Sequence, residues 1–244
     1  MFLMSWQLPH SPLLGRAVTA QLLGIVAAGA TASLVSLLVP TSQAYQVKAA
    51  LASAAISVLA LGYLSEHHPY DRFGAANLGT TGRAALVAVV AALVGEARTD
   101  GIAWTAAIVA AVAMALDGVD GWLARRTSMT SAFGARYDME TDALLILILA
   151  VLAWQHGKAG AWIVLAGAMR YMFLCAGYVW RWMEAPLPPS LRRKAVCVVQ
   201  IAALGIVVSP LVAAPASTAL AAVTLAALPW SFGVDLLWLR RQRA

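Results

Sequence analysis

The sequence predicts an all-α, polytopic membrane helical bundle of about eight spans, and three observations carry that expectation. Hydrophobic residues fill 61% of the 244 positions and charged residues 11%, whereas a soluble domain is about a quarter charged. Apolar stretches near the roughly 20 residues that a helix needs to cross hydrocarbon recur along the chain. Short separators stand between them and hold helix breakers: Pro40, His68 with Pro69, Gly101, Gly157, Pro186 with Pro188 and Pro189, and Pro215.

Taken in order, the spans fall near Ala17 to Val39, Val47 to Leu64, Leu78 to Ala97, Ile102 to Ala124, Asp138 to His156, Ala159 to Met183, Leu191 to Ala213 and Ala216 to Leu239. The first sixteen residues contain Pro9, His10 and Pro12 and no small-residue cleavage site, so they do not read as a removable signal peptide. The first two spans hold little polar chemistry. Their Thr19, Gln21, Thr31, Ser33 and Ser53 suit helix packing through small and hydroxyl groups, as does the abundant alanine. Residues 1–76 therefore read as a two-helix membrane extension ending in a connector, Ser65 to Ala76, and six further helices occupy 77–244. His67 and His68 in the connector are adjacent, diverge on a helix and lack a fixed third ligand, so they read as solvated loop residues. Cys175 and Cys197 sit in apolar stretches without ligand spacing and read as packing residues.

The formal charge of +6 could suit nucleic acid, but its distribution points to the bilayer. Twelve basic residues (Arg16, Arg72, Arg125, Arg126, Arg136, Arg181, Arg192, Arg193, Lys194, Arg240, Arg241, Arg243) fall on the side shared by both termini, and three (Lys48, Arg98, Lys158) fall opposite. The positive-inside rule then places both termini in the cytoplasm, which an even number of spans requires. No nucleic-acid partner is expected. Arg83 and Arg170 lie within spans, where an ionisable group is costly and is by default a functional candidate.

Four aspartates stand at the edge of two apolar spans. Asp117 and Asp120 are three apart, Asp138 and Asp142 four apart, so on helices each pair projects from one face. Opposed across a short turn, the two faces make one acidic pocket. Such carboxylates would repel one another at membrane depth unless cations neutralise them. Hard carboxylate oxygen suits magnesium or manganese, and two such ions could clamp a diphosphate during in-line attack by an oxygen nucleophile. Two acidic pairs would equally suit a cation pathway, or ion pairs with Arg125, Arg126 and Arg136.

The full pattern narrows the choice. Asp117-x-x-Asp120-Gly121-x-x-Ala124-Arg125, eight residues, then Gly134-x-x-x-Asp138-x-x-x-Asp142 fixes eight residues over 26 positions. It resembles the signature of the CDP-alcohol phosphotransferase family. Asn77, Thr80 and Arg83 resemble the family's NxxTxxR element, and Lys194, Cys197 and Gln200 its KxxTxxQ element, with cysteine where threonine is usual. The resemblance covers 77–244 as a six-helix catalytic core and leaves the first two helices as an addition.

The resemblance implies roles residue by residue. Asp117, Asp120, Asp138 and Asp142 would hold two Mg²⁺ or Mn²⁺ ions, and Asp142 would also take the acceptor's proton. Gly121, Ala124 and Gly134 are small where a cytidine nucleotide approaches, Asn77 and Thr80 belong to the same subsite, and Arg125 would meet the diphosphate. Arg126 and Arg136 read as loop cations facing headgroups, and Glu140 projects away from the aspartates. Arg170, Arg192, Arg193 and Lys194 would bind a phosphate on the acceptor; positive-inside anchoring explains the last three as well, and Arg170 could instead pair with an acid such as Asp235. The implied activity moves a phosphatidyl group from CDP-diacylglycerol to a polar, phosphorylated alcohol and releases CMP, in the cytoplasmic membrane, with a homodimer implied by the family alone. A soluble CDP-alcohol with a diacylglycerol acceptor, and a cation transporter, are the competing readings.

Overall fold

A computed structural model describes residues 11–67, 70, 72–127, 131–185, 187–188 and 190–242, with the side chains of 11, 65–67, 119–127 and 184 outside the description. Among the described residues there are eight α-helices and no strand: α1 Ser11–Leu38, α2 Tyr45–His67, α3 Ala75–Ala92, α4 Asp100–Thr127, α5 Ala132–Gln155, α6 Leu165–Val179, α7 Leu191–Val208 and α8 Ala216–Gln242. Short 3-10 turns, Ala161–Val164 and Arg181–Glu184, flank α6.

Among the described residues, six stretches are long and apolar enough to cross a membrane: α1, α2, α3, the first part of α4, Ala161–Val179 and α8. The expectation of eight crossings thus has direct support for six. The other two helices concentrate charge near their starts, α5 with Arg136, Asp138, Glu140 and Asp142, and α7 with Arg192, Arg193 and Lys194 in its first turn. The apolar faces that α1 and α2 leave exposed, such as Leu22, Val26, Leu37 and Leu51, call for hydrocarbon as solvent.

Helix ends differ from the sequence reading where polar groups decide them. The α4 helix runs through the aspartate motif to Thr127, and α5 opens at Ala132 rather than Asp138. There Ser131 Oγ accepts the Gly134 N–H at 3.0 Å, an N-cap that satisfies a donor the helix itself cannot. Conversely α3 stops at Ala92, not Ala97: Gly95 takes φ 82°, a left-handed turn that glycine adopts without a Cβ penalty, and the chain turns Glu96 back toward α2.

Two compact units divide the chain at Asp142 and Ala143. In the first, α1, α2 and α3 pack on one another and α3 packs on α4. One apolar cluster joins Leu13, Ala17 and Ala20 of α1, Ala60 and Leu64 of α2, Phe73, Ala84 of α3, and Phe133 and Tyr137 of α5. The two N-terminal helices are thereby part of the packing that positions α3. Gln21 Nε2 reaches Thr81 Oγ1 at 3.4 Å, and Tyr45 OH donates to the Val89 carbonyl at 3.3 Å.

At the end of α3, Glu96 accepts from Lys48 Nζ, from Ser42 N at 2.7 Å and from Ser42 Oγ at 2.8 Å. Burial alone would push its carboxyl up, but the Lys48 and Ser42 donors outweigh burial and hold it below its ordinary value of 4.5. A depressed folded value means stability that is present above pH 4.5 and is lost as pH falls through that lower value. Thermal melting of the wild type should therefore fall at acid pH. Glu96→Gln should start about 1 kcal/mol less stable at neutral pH, because Lys48 is partly exposed and screened, and should lose the pH-dependent part of the fall. A variant as stable as the wild type at pH 7 would remove this tie between α2 and the end of α3.

The second unit holds residues 143–244. Its α7 packs on α8, and α6 touches α8. Lys158 ties the loop ends, with Nζ on the Val212 carbonyl at 2.8 Å and its own carbonyl accepting from Ser217 Oγ at 2.7 Å.

Candidate active site and metal centre

The site grows from one buried cation. Arg83 lies mid-way along α3, whose buried positions outnumber its exposed ones, and its side chain is 2% exposed. All three guanidinium nitrogens are engaged. Nε donates to the Ala113 carbonyl of α4 at 3.1 Å, Nη1 to Asp117 Oδ1 at 2.9 Å and to Asp138 Oδ1, and Nη2 to Asp142 Oδ1. Helical spacing delivers these acids as expected: Asp117 from α4, and Asp138 with Asp142, one turn apart, from α5. Each of the three is partly exposed, at 23%, 31% and 17%, above a guanidinium that is not.

Asp117, Asp138 and Asp142 each bring a carboxylate oxygen within 4.8 Å of the others. Three hard oxygen donors at that spacing fit a magnesium- or manganese-sized ion, which takes carboxylates and keeps some of its water. The donor set and the spacing therefore suit a divalent ion. Asp120, Gly121, Ala124 and Arg125, the other half of the α4 motif, have side-chain positions outside the described residues, as does Arg126.

Asn77 and Gly134 meet. A Cβ on Gly134 would stand 2.7 Å from Asn77 Oδ1 and 3.3 Å from Ser131 Oγ, so the motif glycine leaves room for the asparagine. Asn77 Nδ2 donates to the Phe73 carbonyl, and Thr81 Oγ1 donates to the Asn77 carbonyl at 2.9 Å while lying 3.5 Å from Tyr137 OH. Thr80, also buried, bonds its hydroxyl to the Ala76 carbonyl at 3.1 Å. Gly134→Ala should displace Asn77 and cost about 1–3 kcal/mol; a melting temperature equal to the wild type's would show that the asparagine yields freely.

In the second unit Arg170 lies half-buried in α6. Arg192 and Arg193 of α7 both grip Asp235 of α8, at 2.5 Å and 3.0 Å, and Arg192 also donates to Ser231 Oγ at 2.7 Å and to the Ser231 carbonyl. Lys194 is exposed. Gln200 is 1% exposed, and its amide nitrogen has no partner among the described residues.

Two features were not assigned from sequence. The sequence marks Arg83 by its cost within a span, but not as the partner of the aspartates. Arg136 lies on α5 rather than in the loop, with its guanidinium 4.1 Å from the centroid of the Tyr63 ring, a cation–π contact.

No solved structure matches the chain. A family model described as CDP-alcohol phosphatidyltransferase matches residues 73–232, a stretch that begins just before Asn77 and includes every aspartate of the motif. With that match over well more than half of its length, and with an aspartate cluster on two neighbouring helices, the chain belongs to the CDP-alcohol phosphatidyltransferase family, a family of membrane phosphotransferases.

Proposed function

We propose that this enzyme transfers a phosphatidyl group from CDP-diacylglycerol to a polar, phosphorylated alcohol of the glycerol 3-phosphate type, releasing CMP. The observation that carries the reading is the meeting of Asp117, Asp138 and Asp142 within 4.8 Å in a chain whose family acts on CDP-alcohols. Asp117, Asp120, Asp138 and Asp142 would hold two divalent ions, Mg²⁺ or Mn²⁺, which when bound neutralise charge on the diphosphate and on the attacking oxygen. The chain's own residues do the rest. Asp142 accepts the proton of the acceptor hydroxyl as that oxygen bonds to the phosphatidyl phosphorus and the bond to the CMP oxygen breaks. Gly121, Ala124 and Gly134 leave room for the nucleotide beside Asn77 and Thr80, and Arg125 donates to the diphosphate.

Arg170, Arg192, Arg193 and Lys194 bind the acceptor's phosphate. Two guanidinium groups on the single Asp235 carboxylate keep a net positive charge at the start of α7. Residues 77–244 form the catalytic core and 1–76 a membrane extension; α5 and α7 also cross, making eight spans with both termini cytoplasmic. The setting is the cytoplasmic membrane, and the working form is a homodimer.

The purified protein incubated with CDP-diacylglycerol and a panel of alcohols should release CMP with Mg²⁺ and not with EDTA. Release only from CDP-choline with diacylglycerol would reverse donor and acceptor; metal-dependent ion flux without CMP would make it a transporter. Arg170→Lys keeps the charge but loses the planar fork, so KM for a phosphorylated acceptor should rise about tenfold with kcat retained. Equal use of serine or free inositol would defeat the acceptor-phosphate pocket alone.

A further inference from the structure

We propose that Arg83 is a permanent internal cation of the aspartate cluster that opposes divalent ions, so that full metal loading requires the nucleotide's diphosphate. The inference rests on the reading of Asp117, Asp138 and Asp142 as metal ligands and adds a role for a residue outside that ligand set.

The geometry makes Arg83 a fixture. Its side chain is 2% exposed, Nε is anchored on the Ala113 carbonyl at 3.1 Å, and each terminal nitrogen holds a carboxylate. A guanidinium does not lose its proton in proteins, so the charge cannot be removed as an ammonium's could. The four aspartates of the proposed ligand set carry four negative charges, enough to balance two divalent ions, and Arg83 cancels one of them. What remains falls one charge short of two divalent ions. A second ion at the same carboxylates would meet a surplus of positive charge in a poorly screened environment, where like charges interact strongly. A diphosphate brings the missing negative charge, and by linkage whatever metal favours diphosphate is favoured by it equally. Arg83 thereby couples the two, and limits how much metal the site holds between turnovers.

A fixed cation and a positioning scaffold predict opposite signs. If Arg83 acts by charge, removing it tightens metal binding; if it acts by holding the carboxylates in place, removing it weakens binding. Manganese binding to the full chain in lipid nanodiscs, followed by the EPR signal of free Mn²⁺ with and without CDP, separates them. In the wild type, CDP should tighten Mn²⁺ binding by about tenfold or more, the size expected for neutralising a charge at contact distance. Arg83→Gln should tighten binding about tenfold without CDP and shrink the CDP effect. Arg83→Lys keeps the charge, because three carboxylates beside the ammonium favour its charged form, and should stay within about threefold of the wild type; it carries the test if the Gln variant does not fold. Weaker or unchanged Mn²⁺ binding in Arg83→Gln, or a tenfold loss in Arg83→Lys, overturns the proposal and makes Arg83 a scaffold. Absence of Mn²⁺ binding in the wild type, with and without CDP, would instead overturn the metal-site reading beneath it.

Discussion

Asp138→Asn is expected to lower CMP release by at least about a thousandfold, roughly 4 kcal/mol of transition-state stabilisation, while the protein remains folded. The two halves of that expectation come from different atoms. Asparagine keeps the shape and one carbonyl oxygen but loses the charge, so a divalent ion loses a hard anionic donor from a cluster in which three carboxylates lie within 4.8 Å. The fold survives because Arg83 keeps Asp117 and Asp142 as partners, and because removing one of three adjacent negative charges relieves repulsion when no metal is bound. Melting temperature with EDTA should therefore be equal to or above the wild type's, and melting in excess Mg²⁺ should show a smaller metal-induced rise. Activity within tenfold of the wild type would exclude Asp138 as a ligand. Collapse of the fold would assign it a structural role through Arg83 instead.

Local information accounts for most of what the sequence foretold. Apolar length marks six of the described helices as spans, because a span is a property of consecutive residues, and helical spacing puts Asp138 and Asp142 on one face, because three- and four-residue neighbours share it. What stayed hidden depends on partners far along the chain. Arg83 reaches Asp117, Asp138 and Asp142 across 34, 55 and 59 residues, and no pattern within α3 says which acids its cation meets. The same limit hides the hold of Arg192 and Arg193 on Asp235, from 43 and 42 residues away. Read alone, α1 and α2 looked like an addition with little chemistry; their share in the cluster with Phe73, Phe133 and Tyr137 exists only once the helices pack. A helix end departs from its apolar boundary where a single polar group decides it, as Ser131 does for α5.

Glycine shows the limit most sharply, and it supplies the largest expected stability effect. Gly167 in α6 and Gly205 in α7 look alike in sequence, each a small residue in an apolar helix. Structurally they are opposites. A Cβ on Gly167 would stand 2.5 Å from Leu147 Cβ, 2.8 Å from its Cδ1 and nearer still to its Cα, whereas a Cβ on Gly205 would meet nothing within 4 Å. The obstacle at Gly167 is backbone as well as side chain, so a rotamer change cannot clear it and the helix carrying Leu147 must move. Close approach through a small residue is how helices associate where hydrocarbon supplies no hydrophobic drive between them. Alanine would gain about 1 kcal/mol of helix propensity at either position. At Gly205 that gain should stand alone, leaving the variant equal to or slightly more stable than the wild type. At Gly167 overpacking should outweigh it, for a net loss of about 3 kcal/mol. Thermal unfolding of both variants in the same detergent provides the comparison. If Gly167→Ala melts with Gly205→Ala, the close contact between α5 and α6 is not what holds this part of the second unit together; if it melts far below, the glycine is the contact.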